Sequence, residues 1–139
     1  MKIDTTLTGF HLAVDFQGTK VFTLNGAADL KKVNPSAFSV TIARGMEPIA
    51  GKAELQNLMQ MSTRNGFVFS DIQQADTTLG GRVAYVLSYV ETDEKINYRN
   101  IVFNGFIIEQ GNLILFTSGD LDKGKFSSAF RKTFYALSF

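Results

Sequence analysis

The stretch from Phe67 to Ser118 constrains this chain most, because it reads as strands separated by short polar breaks. The candidate strands are Phe67–Ile72, Arg82–Glu91, Asn97–Glu109 and Leu113–Thr117, and the breaks fall at Leu79-Gly80-Gly81, Thr92-Asp93-Glu94 and Gln110-Gly111-Asn112. Short Gly- and Asn-containing turns join neighbours that run in opposite directions, so the pattern predicts antiparallel hairpins in a meander.

Three further strands precede it. Phe10–Phe16 alternates, with Leu12, Val14 and Phe16 opposite Ala13 and Asp15. Gln17-Gly18 is turn material before a second strand, Lys20–Leu24. Asn25–Ser36 is polar, punctuated by Asn34-Pro35, and reads as a loop. Phe38–Arg44 places Phe38, Val40 and Ile42 on one face and the small Ser39, Thr41 and Ala43 on the other. Residues 50–64 change to a helical period, with Leu55, Leu58 and Met59 on one stripe and Asn65-Gly66 as the stop. A second helix closes the chain. Phe126, Ala129, Phe130, Thr133, Phe134 and Leu137 recur at helical spacing, and Ser118, Asp120 and Asp122 are candidate N-caps. Such an aromatic stripe is expected to close the core against the sheet. The fold class is therefore α+β: a twisted antiparallel β-sheet with flanking helices.

Length and composition narrow the function. The 139 residues suit a single domain, 1–139, and 45% hydrophobic with 19% charged residues is a globular balance. The net charge is +1, and neither Lys31-Lys32 nor Lys123–Lys132 is dense enough for a nucleic-acid face. The absence of cysteine removes disulfides, thiol catalysis and cysteine zinc sites. No apolar run approaches the roughly 20 residues of a membrane helix, and Met1-Lys2-Ile3-Asp4 opens no signal peptide. The expectation is a cytoplasmic protein with no membrane insertion.

The candidate chemistry is thin. His11, the one histidine, stands at a strand start with no motif around it and reads as structural or surface. Asp120-Leu121-Asp122-Lys123-Gly124 resembles the start of a calcium loop, but Gly124 and Arg131 stand where oxygen ligands belong, so helix capping is expected instead. Leu79-Gly80-Gly81-Arg82 lacks the Lys-Ser/Thr ending of a phosphate loop and precedes a strand; a hairpin turn is expected. Glu91, Asp93 and Glu94 form an acidic cluster at a turn, read as solvated punctuation. Gln56 and Gln60 share a helix face, and their amides can both donate to and accept from a bound peptide. Binding rather than catalysis is the expected activity, with no metal and no cofactor.

The order of segments resembles the Mog1/PsbP-like fold, its bacterial DcrB branch, and within it the Eag chaperones of type VI secretion effectors. The resemblance lies in Thr19–Leu24, in Phe38–Arg44 ending in Arg, and in the helix with Leu55, Gln56 and Leu58 followed by Asn65-Gly66-Phe67. It continues through Leu79–Tyr85, Tyr98–Phe103 and the terminal aromatic helix. What the resemblance implies is a homodimeric chaperone whose concave apolar surface shelters the apolar N-terminal helices of a secreted effector. Carried over, that partner-binding surface comprises Thr19, Val21, Thr41, Ala43, Gln56 and Asn100. Asn100 stands where the family usually has Gln, and Thr19 and Thr41 where it has a larger apolar residue. The alternative is a DcrB- or PsbP-like accessory subunit with a structural role in a larger assembly. Hiding about 800 Å² of an apolar helix is worth roughly 20 kcal/mol gross, most of it offset by ordering and desolvation.

Overall fold

A computed structural model describes residues 1–27, 36–45, 47–64 and 66–139. Strands β1 (His11–Phe16), β2 (Thr19–Thr23) and β3 (Ala37–Arg44) form a first antiparallel meander, and helix α1 (Pro48–Arg64) follows. The second meander is β4 (Val68–Leu79), β5 (Arg82–Asp93), β6 (Tyr98–Glu109) and β7 (Asn112–Asp120); helix α2 (Ser127–Tyr135) closes the chain. All seven strands join one sheet in the order β1-β2-β3-β7-β6-β5-β4, and every adjacent pair is antiparallel. The chain leaves the first meander at β3, enters the sheet's far edge at β4, and works back until β7 zips onto β3.

The hairpin expected at Gly80-Gly81 is present. Both residues have positive φ, +56° and +78°, which the primed turns of tight hairpins demand and glycine adopts without strain. Two strands are longer than their alternation suggested. β4 runs to Leu79 across a register shift between Ser70 and Gln73, where Asp71 has φ 54°. β7 runs on to Asp120, so Ser118 is a buried strand residue whose hydroxyl donates to the Phe103 carbonyl at 2.6 Å, and it is no helix cap. β1 forms as expected but buries little: Leu12 and Phe16 are exposed. The expected punctuation at Asn34-Pro35, the Lys31-Lys32 pair and the stop at Asn65 lie outside the described residues.

The two faces of the sheet are covered unequally. On one face, α2 lays Phe126, Phe130, Phe134 and Leu137 over Phe22, Phe38, Phe103 and Phe116, with Phe10 completing the layer. Phe22, Phe38 and Phe116 form a stacked row across β2, β3 and β7, with centroid spacings of 4.7 and 5.6 Å. The chain's turn into α2 is fixed by Asp120, which is fully buried. Its carboxylate accepts from the backbone N–H groups of Asp122 (2.8 Å) and Phe126 (2.9 Å) and from the Ser127 hydroxyl (2.7 Å). Asp120 is therefore not the N-cap expected of it: Phe126 holds that position without a side-chain cap bond, and Asp120, the last residue of β7, orders the approach to the helix. Asp122 is instead held by the Ser36 hydroxyl at 2.6 Å.

On the other face lies α1. Leu55 is fully buried, and Leu58 and Met59 flank it over a cluster that includes Tyr85, Leu87, Phe106 and Leu113. Gly51 sets the approach: a Cβ there would stand 2.8 Å from Leu113 and 2.9 Å from Phe106, so only glycine lets the helix down onto the sheet. From Lys52 to Gln56 the helix rises about 6 Å; its contacts move from Asp76 to Gln74 on β4, about 6.6 Å of strand. The helix therefore runs along the strands. A helix about 10 Å across covers two or three strand spacings of about 4.8 Å, fewer than the six spacings of a seven-stranded sheet. Beyond Ala43 and Leu113, which lie beneath α1, the β2–β3–β7 part of this face around Val21, Ser39 and Thr117 has no helix above it among the described residues.

Candidate binding groove

The uncovered part of the face, walled on one side by α1, forms an open groove of about 430 Å³. Its floor comes from successive strands at matching register: Val21 opposite Ser39, and Ser39 opposite Thr117. Leu58 lines the groove from α1, and Tyr89, Val102 and Asn104 line it from β5 and β6. Side chains on the floor are small because of the alternation along β3, whose large residues Phe38 and Val40 point to the α2 side.

The hydroxyls of the floor are already satisfied within the sheet. Ser39 and Thr117 share a hydrogen bond of 2.6 Å across β3–β7, and Thr19 and Thr41 share one of 2.9 Å across β2–β3. A hydroxyl that spends its bond on a neighbour presents mainly its methyl or methylene carbon, so these strands offer a shallow, weakly polar surface.

One end of the groove is different. Glu91 is 6% exposed, and its Oε1 accepts from the Tyr98 hydroxyl and from Asn100 Nδ2, both at 3.0 Å. Glu91 Oε2 and Asn100 Oδ1 are buried and have no hydrogen-bond partner among the described residues. Asn100 folds over Gly119, where a Cβ would come within 2.9 Å of Asn100 Oδ1, so a glycine makes room for that amide. The carboxylate dominates the local field. Burial, then the repulsion of the neighbouring Glu91 charge, pushes the Tyr98 phenol up to about 12. The same two causes raise Tyr89 further.

The residues carried over from the family resemblance distribute unevenly. Val21 and Asn100 line the groove. Thr19 and Thr41 are directly paired and extend the same face one register step beyond Val21 and Ser39. Ala43 packs beneath α1 instead of facing the open groove. Gln56 reaches toward β4, its Nε2 donating to Gln74 Oε1 at 3.3 Å, and Gln60 is exposed. The surface is also more polar than the resemblance implies, since Glu91, Asn100 and Asn104 share it with the apolar residues.

Glu91 is the main correction. It was expected at the end of a strand, in a solvated acidic cluster with Asp93 and Glu94, and it is instead buried, two residues before β5 ends. The signal was in the sequence: Tyr85, Leu87, Tyr89 and Glu91 fall in one period-2 phase, all on the face beneath α1 or beside it. Asp93 does behave as turn punctuation, accepting from the Lys95 backbone N–H at 3.0 Å. His11 is exposed at the start of β1. Among the described residues, no group of His, Asp or Glu is placed to hold a metal ion, and no helix is long and apolar enough to cross a membrane.

A second cavity, about 340 Å³, lies between the β4 irregularity at Asp71 and the start of α2. Three of its polar groups are committed to the fold: Ser118 bonds to the Phe103 carbonyl, Ser127 bonds to Asp120, and the Arg131 guanidinium lies 4.6 Å from the Phe103 ring centre.

No protein-family model and no curated protein sequence matches this chain. Solved structures do. The Pseudomonas aeruginosa protein PA94, of unknown function, superposes with a TM-score of 0.56 at 15% identity, over 91% of this chain and 86% of its own. The Saccharomyces cerevisiae Ran-binding protein Mog1p gives 0.55 at 12% identity, over 92% and 80%. The cyanobacterial PsbP of Synechocystis sp. PCC 6803 gives 0.51 at 17% identity, over 95% and 86%. At these identities the likeness is one of fold: the chain has the Mog1/PsbP-like architecture expected of it.

Proposed function

We propose that this chain, a small binding protein on the Mog1/PsbP-like fold, is a cytoplasmic, non-enzymatic chaperone or adaptor of the Eag kind. Its partner is an apolar helix at the N-terminus of a type VI secretion effector, sheltered before export, and the chaperone acts as a homodimer. The observation that carries this reading is the half-covered sheet. α1 occupies one part of the face with Leu58 on its flank, and among the described residues no helix covers the floor of Val21, Ser39 and Thr117 beside it. A foreign helix laid there would stand where a second covering helix would otherwise belong, with Leu58 on one flank. Small floor residues with internally satisfied hydroxyls allow close approach without leaving unpaired polar groups beneath an apolar surface. That Mog1p is a Ran-binding protein adds support for a protein partner on this architecture.

The reading is tested with a synthetic apolar helix of about 20 residues, titrated against the wild type and two variants. Val21→Asp places a carboxylate on the groove floor, where burial against an apolar helix is costly, and affinity should fall at least about tenfold. Ile49→Asp, on a residue of α1 that is 82% exposed, should change nothing. A folded Val21→Asp protein that binds like the wild type removes the groove from the account. If the wild type ignores the apolar helix altogether, the structural accessory role is the better reading.

A further inference from the structure

The groove ends in an acceptor pair that the described residues leave half used. Both neutral donors near Glu91, the Tyr98 hydroxyl and Asn100 Nδ2, bond to Oε1, while Oε2 is left without one. The orientation of Asn100 follows from this: its N–H group turns to the carboxylate, which forces Oδ1 away as a second unpartnered acceptor. The ion pairs Lys52–Asp76 and Arg82–Glu109 lie elsewhere, so Glu91 is a nine-tenths buried carboxylate that pairs with no cation among the described residues. Buried charge is ordinarily paired.

We propose that Glu91 and Asn100 form a receptor for a basic side chain, so that the favoured occupant of the groove is an apolar helix carrying a lysine or arginine at this end. The inference rests on the helix-binding reading above and specifies its chemistry. The middle of a helix offers no spare backbone donors, since each N–H is bonded four residues back. The donors must come from a side chain. An ammonium brings three N–H groups and no acceptor, and a guanidinium five, which suits a site made of acceptors alone. The aliphatic stem of either residue can lie along Val102 and Val21 while its head reaches Glu91.

The test uses two helical peptides of Leu and Ala with blocked ends and neutral polyether tails. They differ at one position, lysine in one and norleucine in the other, and that position is moved turn by turn along the helix. Binding is read by fluorescence anisotropy. At the best placement the lysine peptide should bind the wild type at least about tenfold tighter than its norleucine partner, as expected for a charge-assisted bond in a desolvated site. On Glu91→Gln the two peptides should bind with the same affinity, the lysine advantage being gone. Lys31→Ala combined with Lys32→Ala should keep the advantage; a large gain in lysine-peptide affinity there would mean the chain supplies its own cation, which overturns the proposal. Equal affinity for the two peptides at every placement overturns it as well, and needs only the wild type should Glu91→Gln fail to fold. If neither peptide binds, the groove reading falls and the receptor falls with it; if both bind equally, only the receptor does.

Discussion

Replacing Phe134 by alanine should destabilise the protein by about 3–5 kcal/mol, read as a fall in melting temperature of roughly 10–15 °C. The ring is fully buried and touches three others, Phe103, Phe116 and Tyr135, at centroid distances of 5.5, 5.7 and 5.1 Å. It also fills a notch that the sheet provides: a Cβ on Gly105 would lie 2.9 Å from the Phe134 ring. Truncation therefore opens a cavity over a glycine, whose backbone has no side chain to collapse into it. Calorimetry on the variant checks the value. A loss below about 1 kcal/mol, within the range of ordinary surface substitutions and small repackings, would mean that α2 is not docked as described.

Asp120→Ala should cost about 2–4 kcal/mol, because it strips acceptors from two backbone N–H groups and a hydroxyl at the turn into α2. The same carboxylate makes a pH prediction. Burial alone would raise its pKa, but the bonds from Ser127, Asp122 and Phe126 together outweigh burial and hold it below the usual aspartate value. A group with a depressed folded pKa stabilises the native state above its unfolded value, about 3.9, and that stability is lost as the pH falls through the lower folded value. Wild-type stability should therefore decline below about pH 4 more steeply than that of Asp120→Asn, which has no such proton to take up. Denaturant unfolding at pH 7 and at pH 3 compares the two slopes; parallel declines would contradict the assignment.

Much of the fold was legible because periodicity and turn chemistry agreed. The aromatic stripe from Phe126 to Leu137 admitted one reading, and it packs as that reading requires. Gly80-Gly81 could only be a tight turn, and it is one. The misjudged ends have tertiary causes. Ser118 resembles a cap in sequence, but β7 continues through it because β3 and β6 both offer partners on either side. β4 beyond Ile72 is mostly polar, Gln73 to Thr78, with no apolar alternation to mark it; pairing with β5 along the sheet edge makes it strand. The groove was legible only in part. Alternation along Phe38–Arg44 revealed its small face, whereas no local signal reveals which strands α1 covers, which is why Ala43 packs beneath the helix and Gln56 reaches to β4. Glu91 was missed for a different reason: acidic residues near a turn are usually solvated, and here the strand runs on to Asp93, two residues past the expected end, which keeps Glu91 buried.

The unequal covering of the sheet is the claim on which the functional account stands, and mapping a bound helix tests it most directly. With amide resonances assigned, an apolar helical peptide should perturb Val21, Ser39, Thr117, Leu58 and Asn100, residues from five elements that meet only at the groove. Perturbations confined to α2 and its side of the sheet, or to the outer edge of β4, would contradict the account.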